Sequence, residues 1–239
     1  MIRLHVPQPL SAGAAVAPTL DQSRYLTQVM RLKVGDGVLV FNGVDGEWRC
    51  VIAEILKKGV VLRAEDQARP QDTVPDVHLL IAVVKKSALE FAVEKATELG
   101  VARISLVVTQ NTQVQHVRLD RLDAIAIESA EQTGRLDVPM VDAPAKLAEV
   151  LDGWDAARRL MFCDETGGEP AGTALQAAGG GPWAILIGPE GGFAPEERAR
   201  LRALPFTTAV SLGPRVLRAD TAATAALTLW QAAVGDWAR

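Results

Sequence analysis

The spacing of apolar and polar positions divides the chain near residue 70. Before it, Ile2–Val6, Val38–Phe41, Trp48–Ile55 and Val60–Ala64 are short runs rich in β-branched and apolar residues, and they predict strands. The turn signal "NGVDGE" lies between the second and third runs. From Gln22 to Leu32 the period lengthens, placing Leu26, Val29 and Met30 on one helical face with Asp21 as the expected N-cap. Residues 1–70 therefore predict a small, mostly β, barrel-like domain. The polar stretch "ARPQDTVPD", with its two prolines, closes it.

After the boundary strand and helix patterns alternate. "VHLLIAVV" (77–84), "RISLVVT" (103–109), "RRLMFCD" (158–164), "WAILIG" (183–188) and "TTAVSLG" (207–213) predict strands. Helical patterns span 88–99, 119–132, 195–204 and 219–234. Such alternation predicts an α/β domain over 71–239, with a mostly parallel sheet covered on both faces. Open α/β sheets bind ligands beyond the carboxyl ends of their strands, which points to the turns at Gly188 and Gly213.

Composition narrows the classes. Over 239 residues, 49% are hydrophobic and 23% charged, enough for a sizeable core. The longest apolar run, Leu79–Val84, is far short of the roughly 20 residues that span a bilayer, so no membrane partner is expected. "MIRLHVPQPL" has no apolar stretch of signal-peptide type. Cys50 and Cys163 lie far apart and suggest reduced thiols in a cytoplasmic protein; three isolated histidines offer no metal-ligand spacing. The net charge of −4 does not advertise a nucleic-acid binder. Residues 1–70, however, hold nine Lys/Arg against seven Asp/Glu, whereas 71–239 hold sixteen against twenty-two. That balance permits a local phosphate-contacting surface without establishing one.

Two loops and a helix carry the candidate chemistry. "ILIGPEGGFAPEERARL" (185–201) ends a strand in glycine and proline, exposes Glu190, and restarts as a helix with Pro195, Glu196 and Glu197 in its first turn. Alone, the loop is as consistent with a plain strand-to-helix connection as with a ligand site. It has no phosphate-loop lysine, and an acidic helix start repels anions, so a ligand with hydroxyls or positive charge suits it better. "SLGPRVLRADTAATAALTLW" (211–230) repeats Gly-Pro after a strand and sets Arg218 directly before a helix, where a cation opposes the dipole. A structural salt bridge explains Arg218 equally well, and capping alone explains Asp220 and Thr221. In "ESAEQTGRLDVP" (128–139), Glu131 and Arg135 have the spacing of a surface helix pair, with Gly134 as C-cap. Lys85 and Lys86 end a strand and read as exposed or phosphate-contacting.

Together "LIGPEGG", "LGPRVLRADTAA", "EFAVEKATELGV" and "EQTGR", in this order and separation, resemble the RsmE-type methyltransferases of the SPOUT class, and the similarity covers essentially the whole chain. "RYLTQVMRLKVGDGVLVFNG" (24–43) is similar to that family's PUA-like RNA-binding domain. The resemblance implies an N-terminal PUA-like β-barrel followed by a SPOUT-type α/β domain with a trefoil knot, a topology that general chain-path rules would not suggest. It implies methylation of N3 of a uridine in 16S, small-subunit ribosomal RNA, with S-adenosyl-L-methionine as cofactor, by a homodimer acting on RNA or on the assembled subunit. Another SPOUT methyltransferase, or an RNA-binding module without catalysis, are the rival readings.

Carried onto this sequence, the resemblance implies cofactor contacts at Leu186, Ile187, Gly188 and Glu190. From the second loop Leu212, Gly213, Val216, Leu217 and Arg218 join them. Arg218 is the expected catalytic cation, holding the negative charge that spreads onto the ring carbonyls when N3 loses its proton. Asp220 and Glu190 are candidates for taking that proton. RNA contacts are expected at Arg24, Arg31 and Lys33, and at Lys85, Lys86 and Arg135. Two departures from the family pattern stand out. Ala219-Asp220-Thr221 replaces the usual Thr-Glu-Thr, and Ala194 removes a helix cap, at an expected cost of about 1 kcal/mol.

Overall fold

The computed structural model describes residues 1–113 and 116–238 and forms two compact units. The first comprises Met1–Thr73 together with Ala130–Val138. It contains β1 (Arg3–His5), β2 (Ala15–Val16), α1 (Leu20–Arg24), β3 (Gly37–Phe41), β4 (Glu47–Leu56) and β5 (Gly59–Arg69). The strands form one sheet in the order β1-β3-β4-β5-β2, parallel between β1 and β3 and antiparallel elsewhere. Alternating residues Val38, Val40, Ile52 and Leu62 fill its core with Leu4, Val6 and Leu26. In the "NGVDGE" turn the Asn42 side-chain Oδ1 accepts from the N–H groups of Val44 and Asp45 at 3.0 and 2.8 Å.

The N-cap of α1 is Thr19, not Asp21. Gln22 N–H donates to Thr19 Oγ1 at 3.2 Å and Thr19 N–H to Gln22 Oε1 at 3.0 Å, a reciprocal pair that outcompetes a lone aspartate. The helix then widens into a π-helical turn over Tyr25–Val29, and Arg31 follows with φ +57°. Arg3 binds backbone carbonyls of the 130–138 segment. Its guanidinium donates to Ala130 O, Glu131 O and Arg135 O at 2.8, 2.9 and 2.6 Å, while Glu47 Oε1 accepts from Nε at 2.6 Å.

The second unit comprises Val74–Ser129 and Pro139–Arg239. Its elements are β6 (Val77–Ala82), α2 (Lys86–Glu98), β7 (Arg103–Val108), α3 (Leu119–Thr133), β8 (Met140–Lys146) and α4 (Leu147–Asp152). There follow β9 (Arg159–Cys163), β10 (Glu169–Pro170), α5 (Ala171–Ala178), β11 (Trp183–Ile187), α6 (Pro195–Ala203), β12 (Thr207–Ser211) and α7 (Ala219–Ala233). The last residues of α3 count with the first unit. All seven strands are parallel, in the order β10-β12-β9-β11-β6-β7-β8. Central β11 is buried at every position, so it reads as a continuous apolar run rather than an alternating one. Because the strands run the same way, the turns after β6, β7, β9, β11 and β12 leave one edge of the sheet. α7 packs back over α2, α5 and β11.

Candidate active site

The turn after β11 is built to be tight. Gly192 N–H donates to Pro189 O at 2.9 Å, and the Asn111 side-chain amide donates to Gly191 O and Gly192 O at 3.2 and 3.1 Å. A Cβ at Gly188 would stand 2.5 Å from the Phe193 ring, which is itself buried edge-on against Phe162 at 5.0 Å. Any larger residue at 188 must displace that ring, so the glycine is a packing requirement. Ala194 supplies no side-chain cap to α6, as its sequence implied. Glu197 compensates in part: its Oε2 accepts from Ala194 N–H at 3.1 Å and its Oε1 from Gln110 N–H at 2.9 Å.

The turn after β12 is open by comparison. Gly213 adopts φ +110° with its N–H on Ser211 Oγ at 3.2 Å, a backbone that a side chain would strain. Arg218 is the N-cap residue of α7 in extended conformation, φ −66° and ψ 155°, with Ala222 N–H on its carbonyl at 2.7 Å. Its side chain is exposed and has no hydrogen bond or ion pair among the described residues. The salt bridge that could have explained it is therefore not there.

These two turns and the end of β9 enclose a cavity of ≈ 410 Å³. Ile187, Gly188 and Glu190 line it from one side, and Leu212, Gly213, Val216, Leu217 and Arg218 from the other. The structure brings all of these expected residues together. Leu186 is different: it is fully buried in the sheet core and does not border the cavity, because neighbouring strand residues face opposite ways. Asp220 also stays off the lining, where its Oδ1 accepts from Thr221 N–H at 2.7 Å.

The residues at the end of β9 and just beyond it were not singled out from sequence as site residues. Cys163, Asp164 and Glu165 form part of the wall, signalled only by their place at a predicted strand end. Burial pushes the Cys163 thiol up to about 12, so it is no thiolate nucleophile near neutrality. Burial acts against ionised Asp164 too. Hydrogen bonds from Thr166 N–H and hydroxyl at 2.9 and 2.7 Å, and from Arg202 at 2.6 Å, overcome this and hold its carboxyl below the ordinary range. Glu165 pairs with Arg198 at 2.8 Å. Glu190 is the wall's exposed acid without a recorded partner among the described residues. No group of three metal-ligating side chains occurs among those residues.

The geometry is a nucleoside-sized cavity with backbone-lined walls, and comparison with known proteins puts a family on it. The RNA methyltransferase domain family matches residues 71–231, and the RNA methyltransferase PUA domain family matches 18–65. The chain belongs to the RNA methyltransferase family. It is similar to the ribosomal RNA small subunit methyltransferase E of Rickettsia conorii, 31% identical over 229 residues that cover 94% of this chain and 93% of that one. The protein of the same name from Synechocystis is 33% identical over 230 residues, covering 94% and 75%. Among solved structures, the ribosomal RNA small subunit methyltransferase E of Neisseria gonorrhoeae bound to S-adenosyl methionine superposes with a TM-score of 0.89 at 25% identity, over 99% of each chain. A methyltransferase from Legionella pneumophila in complex with its cofactor SAM gives 0.86 at 29% identity over 98% of each. The fold is thus a PUA-like sheet unit followed by the α/β, parallel-sheet unit of an RNA methyltransferase domain.

The expected RNA-contacting residues of this methyltransferase have unequal surroundings. Arg24 at the end of α1 and Arg31 and Lys33 on the segment after it are exposed, with Arg24 only 3.4 Å from exposed Asp21. Lys85 is exposed without a recorded partner, whereas Lys86 reaches Glu90 at 3.9 Å. Arg135 is the departure: its side chain is 7% exposed and pairs with Asp137 at 2.8 Å.

Proposed function

We propose that this chain methylates N3 of a uridine in 16S, small-subunit ribosomal RNA, with S-adenosyl-L-methionine as donor. The observation that carries the reading is the cavity between the two glycine-proline turns in a member of an RNA methyltransferase family. The residues present fit the donor. The walls combine apolar side chains and loop backbone with the paired acids Asp164 and Glu165, Glu190 has no recorded partner, and the volume lies in the range of roughly 300–1,000 Å³ usual for small-molecule sites. Ile187, Gly188 and Leu212 to Leu217 would hold it, with Glu190 facing its hydroxyls or positive charge. When bound, it supplies an electrophilic methyl group on a sulfonium centre.

The chain's own residues do the rest. Arg218 presents an unpaired guanidinium, which favours the negative charge that loss of the N3 proton spreads over the ring carbonyls. Glu190 is the better-placed proton acceptor, since Asp220 is engaged by Thr221 and off the cavity. RNA is held by Arg24, Arg31 and Lys33 of the PUA-like unit and by Lys85. Lys86 and Arg135 already have acidic partners and contribute less. The small cationic excess favours a folded or assembled small subunit over bare strands. A cytoplasmic homodimer is part of the same reading; exposed Val216, Leu229 and Trp237 support a partner surface near α7.

Calorimetry with the donor and its demethylated product tests the cavity first. Micromolar affinity, about −8 kcal/mol, is expected. Methyl transfer to small subunits lacking the modification should then yield 3-methyluridine by mass spectrometry of nucleosides. No binding at millimolar donor, with or without subunits, or a methyl group on another atom, overturns the reading.

A further inference from the structure

A second cavity, of ≈ 260 Å³, shares Glu190 and Gly191 with the first. Its other lining residues are Val83, Val84, Lys85, Asn111 and Gln113, from the turns after β6 and β7. Val83 and Val84 are buried and give it an apolar floor. Lys85 is the N-cap residue of α2; its ammonium has no recorded partner, although the adjacent Lys86 is turned toward Glu90. Asn111 spends its amide N–H groups on Gly191 O and Gly192 O, which fixes the shared wall and leaves its carbonyl oxygen as an acceptor. The cavity thus combines one cationic donor, one unpaired carboxylate at the shared corner and an apolar floor.

We propose that this second cavity seats the acceptor base and reads an imide edge, carbonyl–NH–carbonyl, as in uracil. The inference rests on the methyltransferase reading. Transfer requires donor and acceptor atoms within about 3–3.5 Å, and a cavity sharing a wall with the donor's places the base at that boundary. Lys85 donates to the C4 carbonyl, and Glu190 accepts from the imide N–H. Cytosine presents a lone pair where Glu190 needs a hydrogen and an amino group where Lys85 needs an acceptor, so the same pair rejects it. An imide has two carbonyls, so Lys85 and Arg218 have separate oxygens to serve.

The test uses the full chain with S-adenosylhomocysteine present. Fluorescence anisotropy is measured with a folded RNA hairpin whose loop carries one uridine among adenosines, and with cytidine and 3-methyluridine at that position. The uridine probe should bind about tenfold more tightly than either, the size of one charge-assisted hydrogen bond. Lys85→Ala should abolish the preference while leaving S-adenosylhomocysteine affinity unchanged by calorimetry. Lys86→Ala should keep the preference. No preference in the natural sequence, or its survival in Lys85→Ala, overturns the proposal. So does weaker S-adenosylhomocysteine binding by Lys85→Ala, which would give the cavity to the donor's amino-acid tail. Failure of the natural chain to bind S-adenosylhomocysteine with or without small subunits is a separate result, and it counts against the methyltransferase reading instead.

Discussion

Arg218 sits where helix electrostatics disfavour a cation, at the start of α7, with no acid recorded against it. Such a placement costs about 0.3–1 kcal/mol, so its removal should leave the melting temperature unchanged or slightly raised. Arg218→Ala should nevertheless lower methyl transfer about a hundredfold or more, the usual loss when a charge-stabilising donor is deleted. Steady-state kinetics beside a thermal melt makes the comparison, and near-normal turnover removes Arg218 from the mechanism. Residues of this kind were legible because they break a local rule: a cation before a helix, an acid in a glycine turn. Leu186 came in with the family resemblance, and the strand's alternation sends its side chain to the core. Asp164 and Glu165 carried no such anomaly, since an acid after a strand is unremarkable until folding sets it beside the two turns.

At the level of elements, the long runs of the second unit were legible to within about two residues; β5 runs on to Arg69, five residues past its expected end at Ala64, and weakly patterned elements were missed. β8 (MVDAPAK) carries a proline and is almost wholly accessible at the sheet edge, so neither alternation nor an apolar run marks it. α4, α5 and β10 are short for the same test. Element ends are set by interactions whose sizes differ. Thr19→Ala removes one half of the α1 capping box and should cost about 1 kcal/mol. Glu47→Ala should cost more, about 3 kcal/mol. Its carboxylate is 5% exposed and holds both Arg3 and Arg69, and Arg3 would be left charged, largely buried and short of its counter-ion. Urea denaturation of the two variants orders them; equal costs would mean that Arg3's three backbone carbonyls suffice without the acid.

For the molecule as a whole, the α/β rhythm foretold a parallel sheet with its turns on one edge, but not the order of strands within it. Periodicity says which residues face a core, not which strand lies beside which. β12 lies beside β9 rather than β11, and the trefoil threading implied by the family resemblance leaves no trace in hydrophobic spacing. Charge patterning was equally silent about pH, which depends on burial in both units. Desolvation holds His5 and His78 below the ordinary histidine value of 6.5, with nearby Arg158 adding to the effect at His78. The unfolded chain takes up these protons near pH 6.5 while the folded chain resists them, so stability is full above that pH and declines below it. Glu47, Asp142 and Asp164 follow the opposite logic with the same outcome. Burial disfavours their ionised forms, but hydrogen bonds from Arg69 and Arg3, from Arg103 and Ser105, and from Thr166 and Arg202 prevail and lower all three. Their contribution is present above the ordinary carboxylate values, about 4 to 4.5, and is lost as pH falls through the folded ones. Urea midpoints measured from pH 8 to pH 3 should therefore fall gently below about 6.5 and steeply below about 4.5. A midpoint that stays flat down to pH 5 would mean that both histidines ionise inside the folded chain as readily as outside it, and would place them in water rather than in the packed units described.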